Sequence, residues 1–484
     1  MEEKYIASID LGSSKFGLCV ARISGDDVNI VYYKETPSDG IRYSMIANPL
    51  KAAEKLREAV AEAEKELMIK ILQVVVGMPR GEVAQVTASA RIERTNPDDY
   101  ISAEEVSSLK SIALETYPLP NPDNQIMYGA VAQSFSIDDE IQLVEDDVVG
   151  TLSSGLEGNF KVFIGNRRAT TALDKIFNSL NIAVAKKYFL PDVVARTVLT
   201  DEERVGGVAL VDMGAGVTSV AIYHGGIMRY YASLPFAGKS ITNDIRTECS
   251  ISEDLAEKIK KRFGACLPGK LATLSEKVLQ LRVTEPYKEV PVRYISEIID
   301  CRAREIVEAI LFYIQESGLQ NTLRNGIVVT GGGAELTNFV NLIKEMSGYD
   351  VRKGYPRFIF TASVGSGVYS TGATAAIGMV LAAHEDNLPD CVSAPIQPEK
   401  KEEEEMEEVE VEVTDETPVP ADALFAPDDF GKPQEPPKKK ERTKKVKVTK
   451  PKGEKTGILS IFWKNVEGLA LDFYDSVNKE EENK

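Results

Sequence analysis

The sequence predicts an α/β chain: a duplicated domain around a cleft, then a disordered charged linker and a terminal amphipathic helix. Three observations carry this expectation. A strand–turn–strand–turn–strand unit occurs twice, about 200 residues apart. Strand-like and helix-like stretches alternate, with glycine at the junctions, as far as about residue 390. Beyond that the composition changes abruptly, until one last apolar segment near the end. At about 150 residues per domain, a chain of 484 residues holds two or three domains.

Composition excludes several functions. The formal charge is −18, of which segments 391–455 and 456–484 carry −4 and −3 and the body the remaining −11. An acidic body argues against nucleic acid as a partner, because phosphate backbones need clustered Lys and Arg. Two histidines, His224 and His384, argue against a Ser-His-Asp mechanism or a His-rich metal site. The five cysteines are odd in number and show no CxxC spacing, so they read as reduced, mostly buried thiols of a cytosolic protein. The opening MEEKYIASID lacks a basic region followed by an apolar one, so no signal peptide is expected. Without an uninterrupted apolar run of about 18 residues, no membrane span is expected either.

The first unit reads as a strand Tyr5 to Asp10, a turn Asp10 to Lys15, a strand Phe16 to Ile23, a turn Ser24 to Asp27 and a strand Val28 to Tyr33. Gly, Asp and Ser between β-branched runs are hairpin signals. Residues 82–165 follow, with a helix start signalled by Ser102 and Glu105 and strands Tyr128 to Ile137 and Asn159 to Ile164. The second unit repeats the plan: strand Val208 to Asp212, turn Asp212 to Gly216, strand Val217 to Tyr223, turn His224 to Gly226, strand Ile227 to Leu234. A third glycine cluster, Gly331 to Gly333, follows the apolar strand Gly326 to Thr330. Leu336 to Met346 then has Phe339, Leu342, Ile343 and Met346 at helical spacing.

Each copy of the unit puts an aspartate at the end of an apolar strand, just before a small-residue turn. Small residues let backbone N–H groups approach phosphate oxygens that a Cβ would obstruct. Ser13, Ser14, Thr218 and Ser219 are hydroxyl donors, and Asp10 and Asp212, facing each other, suit a hydrated Mg²⁺ held against phosphates. Either copy alone also reads as an ordinary hairpin. Gly331, Gly332 and Gly333 permit close approach of a flat ring or a ribose, although three glycines are also plain turn chemistry. The chain contains no GxxxxGK[ST] motif.

These residues resemble the actin, Hsp70 and sugar-kinase superfamily, and within it the FtsA family of actin-like cell-division proteins, over about residues 4 to 385. IDLGSSK (9–15) is similar to the first phosphate motif, LVDMGAGVTSVAIYHGG (210–226) to the second and GIVVTGGGAELTNF (326–339) to the adenosine motif. LPFAGKSITNDI (234–245) with AEKIKKRFG (256–264), and YSTGATAAIGMVL (369–381), resemble the connecting segments. VLTDEERVGGVALVD (198–212) and the order of motifs resemble the FtsA family in particular. The resemblance implies actin-like, duplicated ribonuclease-H-like domains. Subdomain 1A would begin in 1–81, the family's small subdomain 1C would occupy 82–165, and the rest of 1A with 2A and 2B would fill 166–390.

The resemblance further implies ATP with Mg²⁺. Asp10, Gly12, Ser13, Ser14 and Lys15 would meet the phosphates from one side, and Asp212, Gly214, Gly216, Val217 and Thr218 from the other. Asp10 and Asp212 would hold the metal. Gly331 to Gly333 would contact adenosine and the Glu257/Lys260 pair the ribose, although that i, i+3 pair also reads as a solvated ion pair. Where hydrolysing relatives place a water-orienting residue, this sequence has Phe189-Leu190-Pro191-Asp192, so slow turnover and no catalytic residue are expected. The implied role is a scaffold that self-associates into filaments, works with other division proteins and tethers the tubulin-like FtsZ to the membrane at the division site. The FtsZ peptide would dock on about 246–325. Arg293, Arg302 and Arg304 there suit an acidic peptide, or are ordinary helical surface charge. A phosphotransferase of the same fold and a pilus-assembly protein like PilM are the alternatives.

Segment 391–455 is first acidic, then Pro-rich, then basic, and cannot bury enough apolar surface to offset chain entropy. The terminal segment, 456–484, places Ile458, Phe462, Val466, Leu469, Phe473 and Val477 on one helical stripe, widened by Leu459 and Trp463. Such a helix either docks on its own domain or lies in a membrane interface. The long tether and the FtsA resemblance favour the membrane. The polar face is not basic, so attraction to anionic lipid would come from Lys438 to Lys455.

Overall fold

The computed structural model describes residues 3–138, 141–143, 145–271, 276–281 and 288–393, and the backbone of 471–473. The first domain opens with an antiparallel meander of β1 (Lys4–Leu11), β2 (Lys15–Ser24) and β3 (Asp27–Pro37). β1 buries four consecutive residues, Ile6 to Ile9, as befits a strand covered on both faces. α1 (Pro49–Leu67) starts where Asn48 accepts a hydrogen bond from the Lys51 amide at 3.2 Å and proline occupies the first turn. It buries Ala52, Leu56, Ala59 and Ala63, one stripe at helical spacing. The chain then returns as β4 (Gln73–Gly77), parallel to β1 with Ser8 opposite Val75.

Here a separate small sheet is inserted. It comprises β5 (Ala84–Glu93), β6 (Gln125–Ile137), β7 (Ile141–Leu143) and β8 (Gly155–Asn166), in the order β7-β6-β8-β5. Its helix, α2 (Ala103–Thr116), carries the reciprocal cap that the sequence signals: Ser102 Oγ accepts from the Glu105 amide, and the Glu105 carboxylate from the Ser102 amide. Leu109, Phe135, Phe160 and Val162 form a core of its own, with the two phenylalanines edge to face at 6.1 Å. α3 (Arg167–Leu180) leads back to β9 (Ala183–Tyr188), parallel to β4. α4 (Leu190–Val198) follows.

The second domain repeats the first. β10 (Val208–Met213), β11 (Thr218–His224) and β12 (Ile227–Leu234) form the meander. After α5 (Gly238–Cys249), α6 (Glu253–Phe263), a hairpin of β13 (Val278–Leu281) and β14 (Lys288–Pro291), and the long α7 (Val292–Glu316), β15 (Ile327–Thr330) pairs parallel to β10. α8 (Phe339–Ser347) and β16 (Val351–Lys353) complete it. One sheet runs β9-β4-β1-β2-β3, with a short strand Thr361–Ala362 added beside β3, and the other runs β16-β15-β10-β11-β12. The strand order and the pattern of two parallel, then two antiparallel pairings are the same in both. α9 (Thr374–Glu385), buried from Thr374 to Ala383, returns the chain to the first domain and joins its core. No helix of the described residues is long and apolar enough to cross a membrane.

The structure departs from the sequence reading near the end. Segments 391–455 and 456–484 lie almost wholly outside the described residues, including Ile458, Leu459, Phe462, Trp463, Val466 and Leu469. The exception is β17 (Leu471–Phe473), a backbone strand antiparallel to β13 with Leu281 opposite Leu471. These three residues, Phe473 among them, were expected within the terminal helix. The unpaired N–H and C=O groups on the outer edge of β13 take up an extended segment.

Candidate functional site

The duplicated meanders converge on a cavity of about 490 Å³, in the size range of small-molecule sites. Its first wall is the β1–β2 turn. Asp10 sits opposite Gly17, and Gly12, Ser13 and Ser14 close the turn. Ser13 Oγ accepts from the Ser44 amide at 2.9 Å. Lys15 is ion-paired with Glu35, which also accepts the Tyr33 hydroxyl at 2.8 Å.

The second wall is the β10–β11 turn. Asp212 sits opposite Ser219, and the Gly214 amide donates to the Val217 carbonyl at 3.0 Å. The Gly238 and Lys239 amides at the start of α5 donate to the carbonyls of Gly214 and Ala215, at 3.1 and 2.7 Å. A methyl group on Gly216 would lie 2.5 Å from Ser13 Oγ, so this glycine is where the two walls meet.

The third wall is the glycine run after β15. Gly331 has φ +83°, and a Cβ there would lie 2.4 Å from Asp212 Oδ1 and 2.6 Å from the Met213 carbonyl, so only glycine fits. Thr371 ties the run down: its carbonyl accepts the Gly331 amide at 3.1 Å and its hydroxyl donates to the Gly331 carbonyl at 2.8 Å.

α6 closes the cavity. Lys260 reaches Glu257 at 2.7 Å, the Gly238 carbonyl at 2.9 Å and Thr242 Oγ1 at 2.8 Å. The pair is therefore fixed against α5 and is not a free surface ion pair. Burial pulls the Lys260 ammonium below its ordinary value, against the opposing pull of Glu257.

Between the first two walls lies Arg80, from the Met78–Gly81 turn after β4. Its guanidinium is ion-paired with Asp212 and only 9% of the residue is exposed. Burial holds the Asp10 carboxyl above the usual carboxylate range; Arg80 draws it down and the charge of Asp212 pushes it up.

Residues 209–377 match the family described as "Cell division protein FtsA". The chain is 27% identical over 407 residues to the cell division protein FtsA of Neisseria meningitidis, covering 82% of this chain and 94% of that one. It is 28% identical over 387 residues to that of Borreliella burgdorferi, covering 80% and 92%. The chain is thus similar to the FtsA family. Among solved structures, the PilM-PilN type IV pilus biogenesis complex superposes with a TM-score of 0.55 at 15% identity, over 78% of this chain and 98% of that one, a likeness of fold alone. The fold of this chain is actin-like, and the relatives it resembles are named as cell-division proteins.

Of the residues singled out in the FtsA-type motifs, Asp10, Gly12 to Lys15, Asp212, Gly214, Gly216, Val217, Glu257, Lys260 and Gly331 to Gly333 all line the cavity. Thr218 does not. As the first residue of β11 it is fully buried, and its hydroxyl donates to the Phe236 carbonyl at 2.6 Å. Asp192 is likewise outside the lining, bound to Arg196 at 2.9 Å one turn along α4. Arg293, Arg302 and Arg304 are each held by acids of this chain, Glu297, Asp244 and Asp300 respectively. Sequence reasoning missed Arg80, Glu35, Ser44 and Thr371. Arg80 follows a strand, VVVG, whose Gly-Met-Pro turn was the available signal, and Thr371 lies in the quoted segment YSTGA.

Proposed function

We propose that this chain binds ATP with Mg²⁺ in the cleft, polymerises in an actin-like manner and tethers the tubulin-like FtsZ ring to the cytoplasmic face of the cell membrane. The observation that carries the reading is the convergence of two aspartate-tipped turns and a glycine run on one cavity, in a fold whose relatives are named as division proteins. Asp10 and Asp212 would hold the metal, which supplies positive charge against the phosphates. The Gly12–Ser14 and Gly214–Gly216 turns offer small residues and backbone donors to the phosphates from opposite sides. Gly331 to Gly333, with the Glu257–Lys260 pair, would take the adenosine. Fitting the nucleotide between domains couples its binding to their closure, which suits a switch governing filament assembly. The position of Asp192, committed to Arg196, supports slow turnover.

Beyond the folded body, the long charged tether and the apolar residues from Ile458 to Leu469 support a lipid-facing foot, strengthened in a filament by avidity. The FtsZ C-terminal peptide is assigned to the region about 246–325. Sedimentation of the full chain with anionic vesicles, Mg-ATP and FtsZ tests the whole reading. Deleting 457–484 should release the protein from vesicles and leave nucleotide binding intact. Unchanged sedimentation of the truncated chain would overturn the anchor.

A further inference from the structure

The Arg80 guanidinium lies where the two aspartate turns meet, and the chain goes to some length to put it there. The Met78 amide donates to the Tyr188 carbonyl at 2.8 Å, fixing the start of the turn to the end of β9. The Arg80 amide donates to Ser44 Oγ at 3.1 Å, and the Ser44 amide donates to Ser13 Oγ at 2.9 Å. Arg80 is thus connected through two hydrogen bonds to the first turn, while its side chain is ion-paired with the aspartate of the second. Its carbonyl accepts the Tyr231 hydroxyl at 3.5 Å. Among the described residues its Nε, though buried, has no hydrogen-bond partner. A buried guanidinium with an unused donor, lining a cavity built for an anion, is an incomplete arrangement.

Resting on the nucleotide-cleft reading, we infer that Arg80 is the triphosphate sensor of the site: it contends with the divalent cation for Asp10 and Asp212, and once displaced by metal and nucleotide it donates to the terminal phosphate. Two facts of chemistry support this. A divalent ion and a guanidinium both seek carboxylate oxygens, and the same oxygen of Asp212 cannot serve both fully. A guanidinium released beside a phosphate can bind two of its oxygens at once through its planar fork, whereas a lysine ammonium, a point charge, cannot. The link from Arg80 through Ser44 to Ser13 then carries a change at the terminal phosphate to the turn of the first domain. A diphosphate gives Arg80 one phosphate fewer to meet and leaves it with Asp212.

The test uses the full chain freed of nucleotide, as wild type, Arg80→Gln and Arg80→Lys. Manganese binding is read by electron paramagnetic resonance, and ATP and ADP affinities by calorimetry. Arg80→Gln should bind Mn²⁺ alone about tenfold more tightly than wild type, because the competing cation is gone. It should also lose about tenfold in ATP affinity while ADP affinity moves by less than about twofold. Arg80→Lys keeps the charge but not the fork, so it should bind Mn²⁺ as wild type does and still lose most of the ATP preference. If Arg80→Gln does not fold, as melting would show, the Lys variant alone decides. Unchanged Mn²⁺ affinity in Arg80→Gln, a parallel loss of ATP and ADP, or a Lys variant with full ATP preference each overturns the inference. A wild-type chain that binds no nucleotide overturns the cleft reading itself.

Discussion

The two meanders that wall the cleft share strand order and pairing, yet they carry different chemistry. In the first, the turn after Asp10 is polar: Ser13, Ser14 and Lys15, backed by Glu35 and Tyr33. In the second, the turn after Asp212 is Gly-Ala-Gly, and its amides and carbonyls do the work, anchored on the start of α5. One wall contributes side chains and the other backbone. The second turn is sterically exacting at Gly216, where a Cβ would press on Ser13 Oγ and the Tyr43 amide, while the side chains of the first turn tolerate trimming. A duplicated topology fixes where two groups meet and leaves free what each contributes.

Substitutions can break this contrast in a graded way. Gly331→Val should have the largest effect, since even a Cβ would press on Asp212 Oδ1 and the Met213 carbonyl in a backbone conformation that side chains avoid. Calorimetry should show Mg-ATP affinity falling by about a hundredfold or more, ~2.7 kcal/mol. Gly216→Ala, placed where the walls touch, should weaken Mg-ATP by about tenfold, because its methyl group displaces Ser13 Oγ or the Tyr43 amide. Ser13→Ala removes one hydroxyl and leaves the Ser44 amide without its acceptor, a loss of about 1 kcal/mol or roughly fivefold. If Ser13→Ala proved more damaging than Gly216→Ala, the division into a side-chain wall and a backbone wall would be wrong.

A change outside both walls serves as the control. Glu203 caps the short helix Asp201–Gly206 by accepting from the Thr200 amide at 2.9 Å, and binds Arg352 at 2.6 Å. Burial pushes its carboxyl up, but the Arg352 and Thr200 bonds more than offset this and hold it below the ordinary value. A depressed carboxyl contributes stability above its unfolded value of about 4.3, lost as pH falls through the folded value. Glu203→Gln should therefore lower stability by about 1 kcal/mol at neutral pH, with the difference from wild type narrowing on acidification below about pH 4. Melting curves across pH measure this, and Mg-ATP affinity should not change.

Much of the fold was legible because its signals are local. Asp10 to Lys15 and Asp212 to Gly216 announce their turns within a few residues, and Ser102 with Glu105 forms its cap across three. The matched sheets follow from that repeat. What escaped is carried by distance. Arg80 meets Asp212 across 132 positions, and no pattern around either residue marks the pairing. Glu35 joins the site because β3 runs on to Pro37, past the apolar stretch that ends at Tyr33. Thr218 was assigned by motif, yet the alternation of β11 turns its hydroxyl to the Phe236 carbonyl. Phe473 fits the apolar stripe of a helix in sequence, but in the structure Leu471 to Phe473 pair with a sheet edge, a competition that periodicity cannot decide.

The central claim is that Asp10 and Asp212 grip one metal–nucleotide between the two turns. Calorimetric titration of ATP into the full chain, with Mg²⁺ and with a chelator, and into Asp10→Asn and Asp212→Asn, tests it most directly. The account predicts binding that depends on Mg²⁺ and is strongly weakened by either substitution. ATP binding that is indifferent to Mg²⁺ and unchanged in both variants would contradict it.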